Sequence, residues 1–212
     1  MTATNKQEAM LHAIITTISH TGFTDLKMDD FIKMMPASRS TVYRYFPSRE
    51  AIIEAVVTEY VDYIDKFNVP KDLTTPAEYI AGFQSLLEQA IIFNSNISPV
   101  FLNDLAAELP EESRHLQSAI TEHDTQAKEF YLAGQRNQIF NSQNVRLWLL
   151  QDQVMVPKLI DPHFLFSHNL TLRDSLTDYA AMKAQQILVP KLLNDFDLKF
   201  LEPVIIEISQ QY

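Results

Sequence analysis

This chain of 212 residues contains three glycines and no Asn-Gly or Asp-Gly pair. Tight β-hairpins need positive backbone angles, which those residues supply most readily, so a fold assembled from hairpins is excluded. The apolar residues recur at helical rather than alternating intervals, most regularly at Ile52, Ile53, Val56, Val57, Tyr60, Val61 and Ile64. The expected fold class is therefore all-α. With 46% hydrophobic and 21% charged residues the composition is that of a globular protein rather than a disordered one. No cysteine is present, which removes disulfides, thiolate metal sites and thiol nucleophiles together and fits a reducing compartment. The first eight residues are polar and lack a hydrophobic signal core, and no run approaches the roughly 18 apolar residues of a membrane span. A cytoplasmic protein with no membrane partner is expected.

Punctuation residues divide the chain. A first helix is expected over 5–20, carrying Met10, Leu11, Ile14, Ile15 and Ile18 on one stripe and ended by Gly22. A second, over 27–34, stops before Pro36, which disfavours helical angles at Met35. Ser38 caps a third and Ser48 a long fourth that reaches about residue 67. Pro70 and Pro76 bracket a break. Beyond it, helices are expected over 79–91, 100–108, 111–136, 145–155, 172–188 and 200–208, with Pro157 kinking or ending one of them, Pro203 interrupting the last and Asp161-Pro162 opening a loop. A small N-terminal domain, residues 1–50, and a helical remainder, 51–212, are the expected domains.

Residues 38–50 hold six hydroxyls and three arginines around Val42 and Phe46. On a helix those two apolar residues form an i,i+4 pair on one face, while Ser40 and Arg44 point the opposite way, flanked by Thr41 and Tyr43. The outward face offers hydroxyl and guanidinium donors and no carboxylate. Arginine can pair with guanine in bidentate fashion or bind phosphate, Ser and Thr hydroxyls suit either, and a tyrosine hydroxyl can donate to phosphate while its ring packs. Tyr45 points closer to Val42 than to Arg44, which equally suits a core position. Arg49, in the first turn of the fourth helix, opposes the helix dipole unless an anion docks there.

A short helix, a three-residue turn and a second helix opening on hydroxyl and basic residues is the helix-turn-helix pattern. Set between a longer supporting helix and a capped fourth one, residues 10–57 resemble the N-terminal domain of the TetR family of transcriptional regulators. The resemblance centres on Gly22-Phe23 and on the run from Ser38 to Ile52. It implies that Arg39, Ser40 and Thr41 face the groove from a helix opened by Ser38. Tyr43, Tyr45 and Arg49 would engage phosphates, with Lys27 joining them from the start of the second helix. Where the family commonly has glycine in the turn this chain has Pro36, so the turn must take another shape. In place of a hydroxyl before the second helix stands Leu26-Lys27, so a cap must come from Asp25 or be missing.

The resemblance further implies a homodimer on a palindromic double-stranded DNA operator, usually repressing, and a C-terminal domain that encloses a pocket for an unknown small-molecule effector. Phe83, Phe101, Tyr131, Trp148 and Met155 are the expected lining. Residues 142–160 and 171–190 are the expected dimer helices, with the apolar segment from Asp195 as the alternative.

Net charge is -10. Its distribution is uneven. In residues 1–50, Lys6, Lys27, Lys33, Arg39, Arg44 and Arg49 outweigh Glu8, Asp25, Asp29, Asp30 and Glu50 by one, leaving the remainder at -11. That modest surplus also admits a protein of the same fold that has lost DNA recognition and binds a metabolite or a partner protein. Glu112 and His115 have the Glu-x-x-His spacing of di-iron bundles, but a carboxylate-bridged site needs a second copy. His123 could share a face with His115, yet two histidines without a third ligand make no zinc site. Neither a phosphate loop nor a His-Glu-x-x-His occurs. No enzyme activity, cofactor or metal is expected.

Overall fold

The computed structural model describes residues 3–210; Met1 and Thr2, part of the polar N-terminal run, lie outside them. Eleven α-helices occur among these residues: α1 (Ala3–Thr21), α2 (Met28–Met34), α3 (Arg39–Tyr45), α4 (Arg49–Asp65), α5 (Pro76–Asn96), α6 (Pro99–Glu108), α7 (Pro110–Arg136), α8 (Val145–Leu159), α9 (Pro162–Ser167), α10 (Leu172–Ile187) and α11 (Leu201–Ser209). Short 3-10 turns over Pro190–Asp195 and Leu198–Phe200 precede the last helix. No strand is formed among the described residues, where the one isolated β-bridge pairs Phe140 with Leu188.

Two expectations change. Asp161-Pro162 opens a helix rather than a loop, because the Asp161 carboxylate accepts from His163 N at 2.9 Å and Pro162 sits in the first turn, where its missing N–H costs nothing. Pro203 does not interrupt α11, since it too lies in the first turn. Pro157 stays inside α8 two residues before its end.

The chain divides into two compact units, Met1–Lys66 with Asn96–Thr121, and Phe67–Ser95 with Glu122–Tyr212. In the first, Met10, Leu11, Ile14 and Ile18 of α1 are buried together with Ile52, Ile53, Val56 and Val57 of α4 and Phe101 and Leu105 of α6. The Phe101 ring lies 5.5 Å from both Phe23 and Tyr60. Ser19 Oγ and Tyr60 OH are hydrogen-bonded to each other, and Tyr60 OH donates to Asn96 O at 3.1 Å.

Gly22 ends α1 with φ +79°, its N–H donating to Ile18 O at 2.9 Å. A second constraint holds it. A Cβ there would overlap Asp104 Oδ2 and stand 2.8 Å from Val100 Cγ1, so α6 packs where a side chain would be. Gly22→Ala is accordingly expected to lower stability by about 1–2 kcal/mol for the left-handed angle, with the displaced α6 adding to it. A thermal melt checks this, and an unchanged midpoint would refute the close approach.

In the second unit the core is aromatic at one end. Tyr79, Phe83, Phe130, Tyr131, Phe140 and Trp148 are all buried, with ring centroids 5.3 to 6.4 Å apart in tilted or edge-on pairs. Gly134 and Gly82 let the Phe140 and Phe130 rings press against α7 and α5.

Candidate nucleic-acid interface

α2 begins without a hydroxyl cap. No side chain caps α2 at Lys27, the second of the two expected alternatives; the Asp30 carboxylate reaches back to Lys27 N at 3.1 Å, and the Lys27 side chain is exposed. Asp30 also pairs with Lys33 at 3.0 Å, and that hydrogen bond, with the one from Lys27 N, holds its carboxyl below the usual range.

The helix stops as Met35 turns extended (φ -83°, ψ 139°), and Ala37 N donates to Met35 O at 2.8 Å. This closes a three-residue turn about Pro36. Such a turn needs a central φ near that of proline, so the ring fits where a glycine-type positive angle would have been impossible.

Ser38 then caps α3: its Oγ accepts from Thr41 N at 3.3 Å and lies 2.9 Å from Thr41 Oγ1 and 3.1 Å from Ser40 Oγ. Val42 and Phe46 are buried to 0% and 1% exposure, and this anchor fixes which side of α3 faces outward. Ser38, Arg39, Ser40, Tyr43 and Arg44 are exposed, and Thr41 and Tyr45 half-buried. The Arg44 guanidinium lies over the Tyr45 ring at 5.1 Å and that of Arg39 over Tyr43 at 6.0 Å. Arg39 also pairs with Asp29 of α2, both side chains more than half exposed. An exposed pair of this kind is worth at most about 1 kcal/mol, so phosphate can compete for Arg39.

Arg49 departs from expectation. Its Nε donates to Leu26 O, its Nη2 to Phe23 O and its Nη1 to Glu108 Oε2, each at 2.7 Å, and the guanidinium lies 5.3 Å from the Phe23 ring. The side chain is only 17% exposed. All three guanidinium nitrogens thus have acceptors inside the fold, where a phosphate was the expected partner. The carbonyls and Glu108 also remove the conflict with the α4 dipole that had suggested an external anion. Asp104, one turn before Glu108, accepts from Phe23 N at 2.6 Å and Thr24 N at 3.1 Å. Partial burial pushes the Asp104 carboxyl up, but those N–H groups and Arg49 together pull it below the usual range. The hydrogen bond from Arg49, then one with Thr24, does the same for Glu108.

The interface is thus a helix-turn-helix with an exposed hydroxyl and guanidinium face, braced by α6. Residues 10–56 match the family model described as bacterial regulatory proteins, tetR family. Residues 10–56 form a TetR-family N-terminal domain. Two solved structures resemble nearly the whole chain. One, described as a TetR-family transcriptional regulator from Rhodococcus sp., is 13% identical with a TM-score of 0.60, over 86% of this chain and 98% of that one. The other, full-length TylP, a TetR regulator from Streptomyces fradiae, is 14% identical with a TM-score of 0.51, over 99% and 98%. At such identities the likeness is one of fold alone: the all-α arrangement shared with these two structures continues past the matched segment. No curated protein matches the sequence.

The five expected pocket residues have different surroundings within their own units. Phe101 belongs to the first unit, where it packs on Phe23 and Tyr60, and Met155 is 38% exposed on α8. Phe83, Tyr131 and Trp148 are packed among one another's rings as core. A cleft of about 340 Å³ in the second unit is lined instead by Val69, Leu73, Tyr79 and Phe130, with Lys71 and Arg136 among its polar residues. His115 lies 4.0 Å from Glu112 and is half exposed, whereas His123 faces Gln89 Oε1 at 2.9 Å.

Sequence reading missed Asp104, Glu108 and a buried ion pair, Lys183 with Asp152. A faint signal existed for the first two. Phe101, Asp104, Leu105 and Glu108 are spaced i, i+3, i+4, i+7, so both carboxylates share the apolar face of α6.

Proposed function

We propose that the protein is a ligand-responsive transcriptional regulator, a cytoplasmic homodimer that binds a palindromic operator through α3 and usually represses. The observation that carries this reading is the anchored geometry of α3, in which Val42 and Phe46 are buried and Arg39, Ser40, Thr41, Tyr43 and Arg44 are presented outward or at the rim. In this reading Lys27, Ser38, Arg39, Tyr43 and Tyr45 bind the backbone while Ser40, Thr41 and Arg44 meet base edges. Residues 1–50 do the DNA binding and 51–212 the effector binding and dimerisation. No catalytic role is assigned.

Dimerisation is required, because two recognition helices enter successive major grooves only when held about 34 Å apart. Support comes from α8, where Leu147, Leu150 and Val154 are 60%, 50% and 59% exposed on one helical face, and from α10, where Met182 is 59% exposed. An apolar stripe at this spacing is what a self-complementary interface buries. These helices fall within 142–160 and 171–190. The cleft beside Tyr79 and Phe130 is the better effector candidate than the packed aromatic core, and an effector there would act by preferring one of two dimer spacings.

Among the described residues no helix is long and apolar enough to cross a membrane. The expected result is that the purified protein shifts a duplex taken from upstream of its own coding sequence, with affinity falling steeply as salt rises. Failure to bind any duplex at low salt would refute the reading and favour a TetR-fold binding module, for which the modest +1 of residues 1–50 and the Asp29 carboxylate on Arg39 already speak.

A further inference from the structure

The two carboxylates of α6 converge on one small region of chain. Asp104 takes the N–H groups of Phe23 and Thr24, and Glu108 takes the guanidinium of Arg49, which itself holds the carbonyls of Phe23 and Leu26. Leu26 stands just ahead of α2, and Arg49 opens α4 just after α3. Both ends of the α2–α3 segment are therefore tied at a single guanidinium, and that guanidinium is tied to α6. The other end of α6 is fixed as well, since Ser98 N donates to Ser19 O at 3.1 Å. Gly22 lacks the side chain that would keep α6 away.

We propose that Asp104 and Glu108 are positioning residues for DNA recognition: they touch no nucleic acid, and by clamping the α1–α2 turn and Arg49 they hold α2 and α3 in the orientation that reads the groove. This rests on the DNA-binding reading above. The physical reason is pre-organisation. A recognition helix whose hold points are loose spends only a fraction of its time in the competent orientation, and apparent affinity falls by that fraction. The sign of the effect separates this role from simple charge. Removing a carboxylate from a DNA-binding protein lessens its repulsion of phosphate and by electrostatics alone tightens binding. Loss of the clamp weakens it.

The test measures affinity against salt concentration for the full chain and for Glu108→Ala, Glu108→Gln and Asp104→Asn, with the upstream duplex as probe. Hydrogen exchange at the Phe23 and Thr24 amides is followed in parallel in the free protein. Glu108→Ala is expected to bind about tenfold more weakly with an unchanged salt slope, because the number of phosphate contacts stays the same. Glu108→Gln, which keeps an acceptor for Arg49, recovers part of the loss. Asp104→Asn exposes the two amides to faster exchange and also weakens binding. Equal or tighter binding by Glu108→Ala, with a slope steeper by about one contact, would overturn the proposal and return Arg49 to the phosphate. Unprotected Phe23 and Thr24 amides in the unaltered protein would overturn it too, whatever the DNA result. If the unaltered protein shows protected amides but binds no duplex, the DNA-binding reading itself fails and takes this role with it.

Discussion

Lys183→Ala is expected to lower the unfolding free energy by about 3–5 kcal/mol, the cost of stranding one member of a buried ion pair. Lys183 of α10 is fully buried; its Nζ donates to Asp152 Oδ2 at 3.0 Å and to Trp148 O at 2.8 Å, both on α8. Tyr179 OH donates to the other carboxylate oxygen at 2.6 Å. Burial pushes the Asp152 carboxyl up and the Lys183 ammonium down, and each partner's charge opposes the other's shift. Without the lysine, the carboxylate keeps one donor and loses its counter-charge. Its folded pKa then rises further above the unfolded value, so the folded state holds the extra proton and the variant loses stability as pH rises through that range. The deficit should shrink in acid, where Asp152 is protonated. A double replacement, Asp152→Leu with Lys183→Met, is expected to be near neutral, because filling the site with apolar groups removes both desolvation costs. Urea midpoints at constant slope measure all three. A single variant within about 1 kcal/mol of the parent would show that the pair fastens nothing. The pair also joins the two helices proposed for the dimer, so the single variant should dissociate at higher protein concentration than the double one.

What could be read in advance depended on how far along the chain the decisive partner lay. Val42 and Phe46 announce the buried side of α3 because an i,i+4 pair is a local pattern, and Ser38 and Ser48 announce helix starts because a cap acts over three residues. Pro36 was legible as the end of α2, but its turn closes through one backbone bond that the residue types do not spell out. Asp161-Pro162 carried the right chemistry for a helix start and was read for its loop-forming side alone. The partners of Arg49 were hidden for a different reason. Its position in the α4 first turn demanded a compensating acceptor, and the local sequence offered only the neighbouring Glu50, 4.0 Å from its Nη1, so an external phosphate was expected. The acceptors are Phe23, Leu26 and Glu108, between 23 and 59 residues away. The pocket expectation rested on aromatic residues, and those that fill a core and those that line a cavity are of the same types. Only packing distinguishes Trp148, which is buried against Tyr131, from a ligand-facing ring.

Arg44→Ala is expected to weaken binding to the operator by about 1–3 kcal/mol while leaving non-specific duplex binding nearly unchanged. The geometry singles out this residue over its neighbour. Arg39 already has a carboxylate, Asp29, and reaches DNA only by exchanging one partner for another. Arg44 is exposed near the middle of the outward face, and its guanidinium is steadied over the half-buried Tyr45 ring, which limits the entropy lost when it docks on a base edge. Because Val42 and Phe46 supply the anchor, truncating Arg44 should leave the melting temperature within about a degree or two of the parent, as for most exposed positions. Arg39→Ala should behave in the opposite way, with a uniform loss across sequences and a salt slope reduced by about one. Titrations of both variants against the operator and a scrambled duplex at two salt concentrations separate the roles. If Arg44→Ala lowers both affinities equally, Arg44 is a backbone contact and base reading falls to Ser40 and Thr41, whose hydroxyls give weaker discrimination than a bidentate guanidinium.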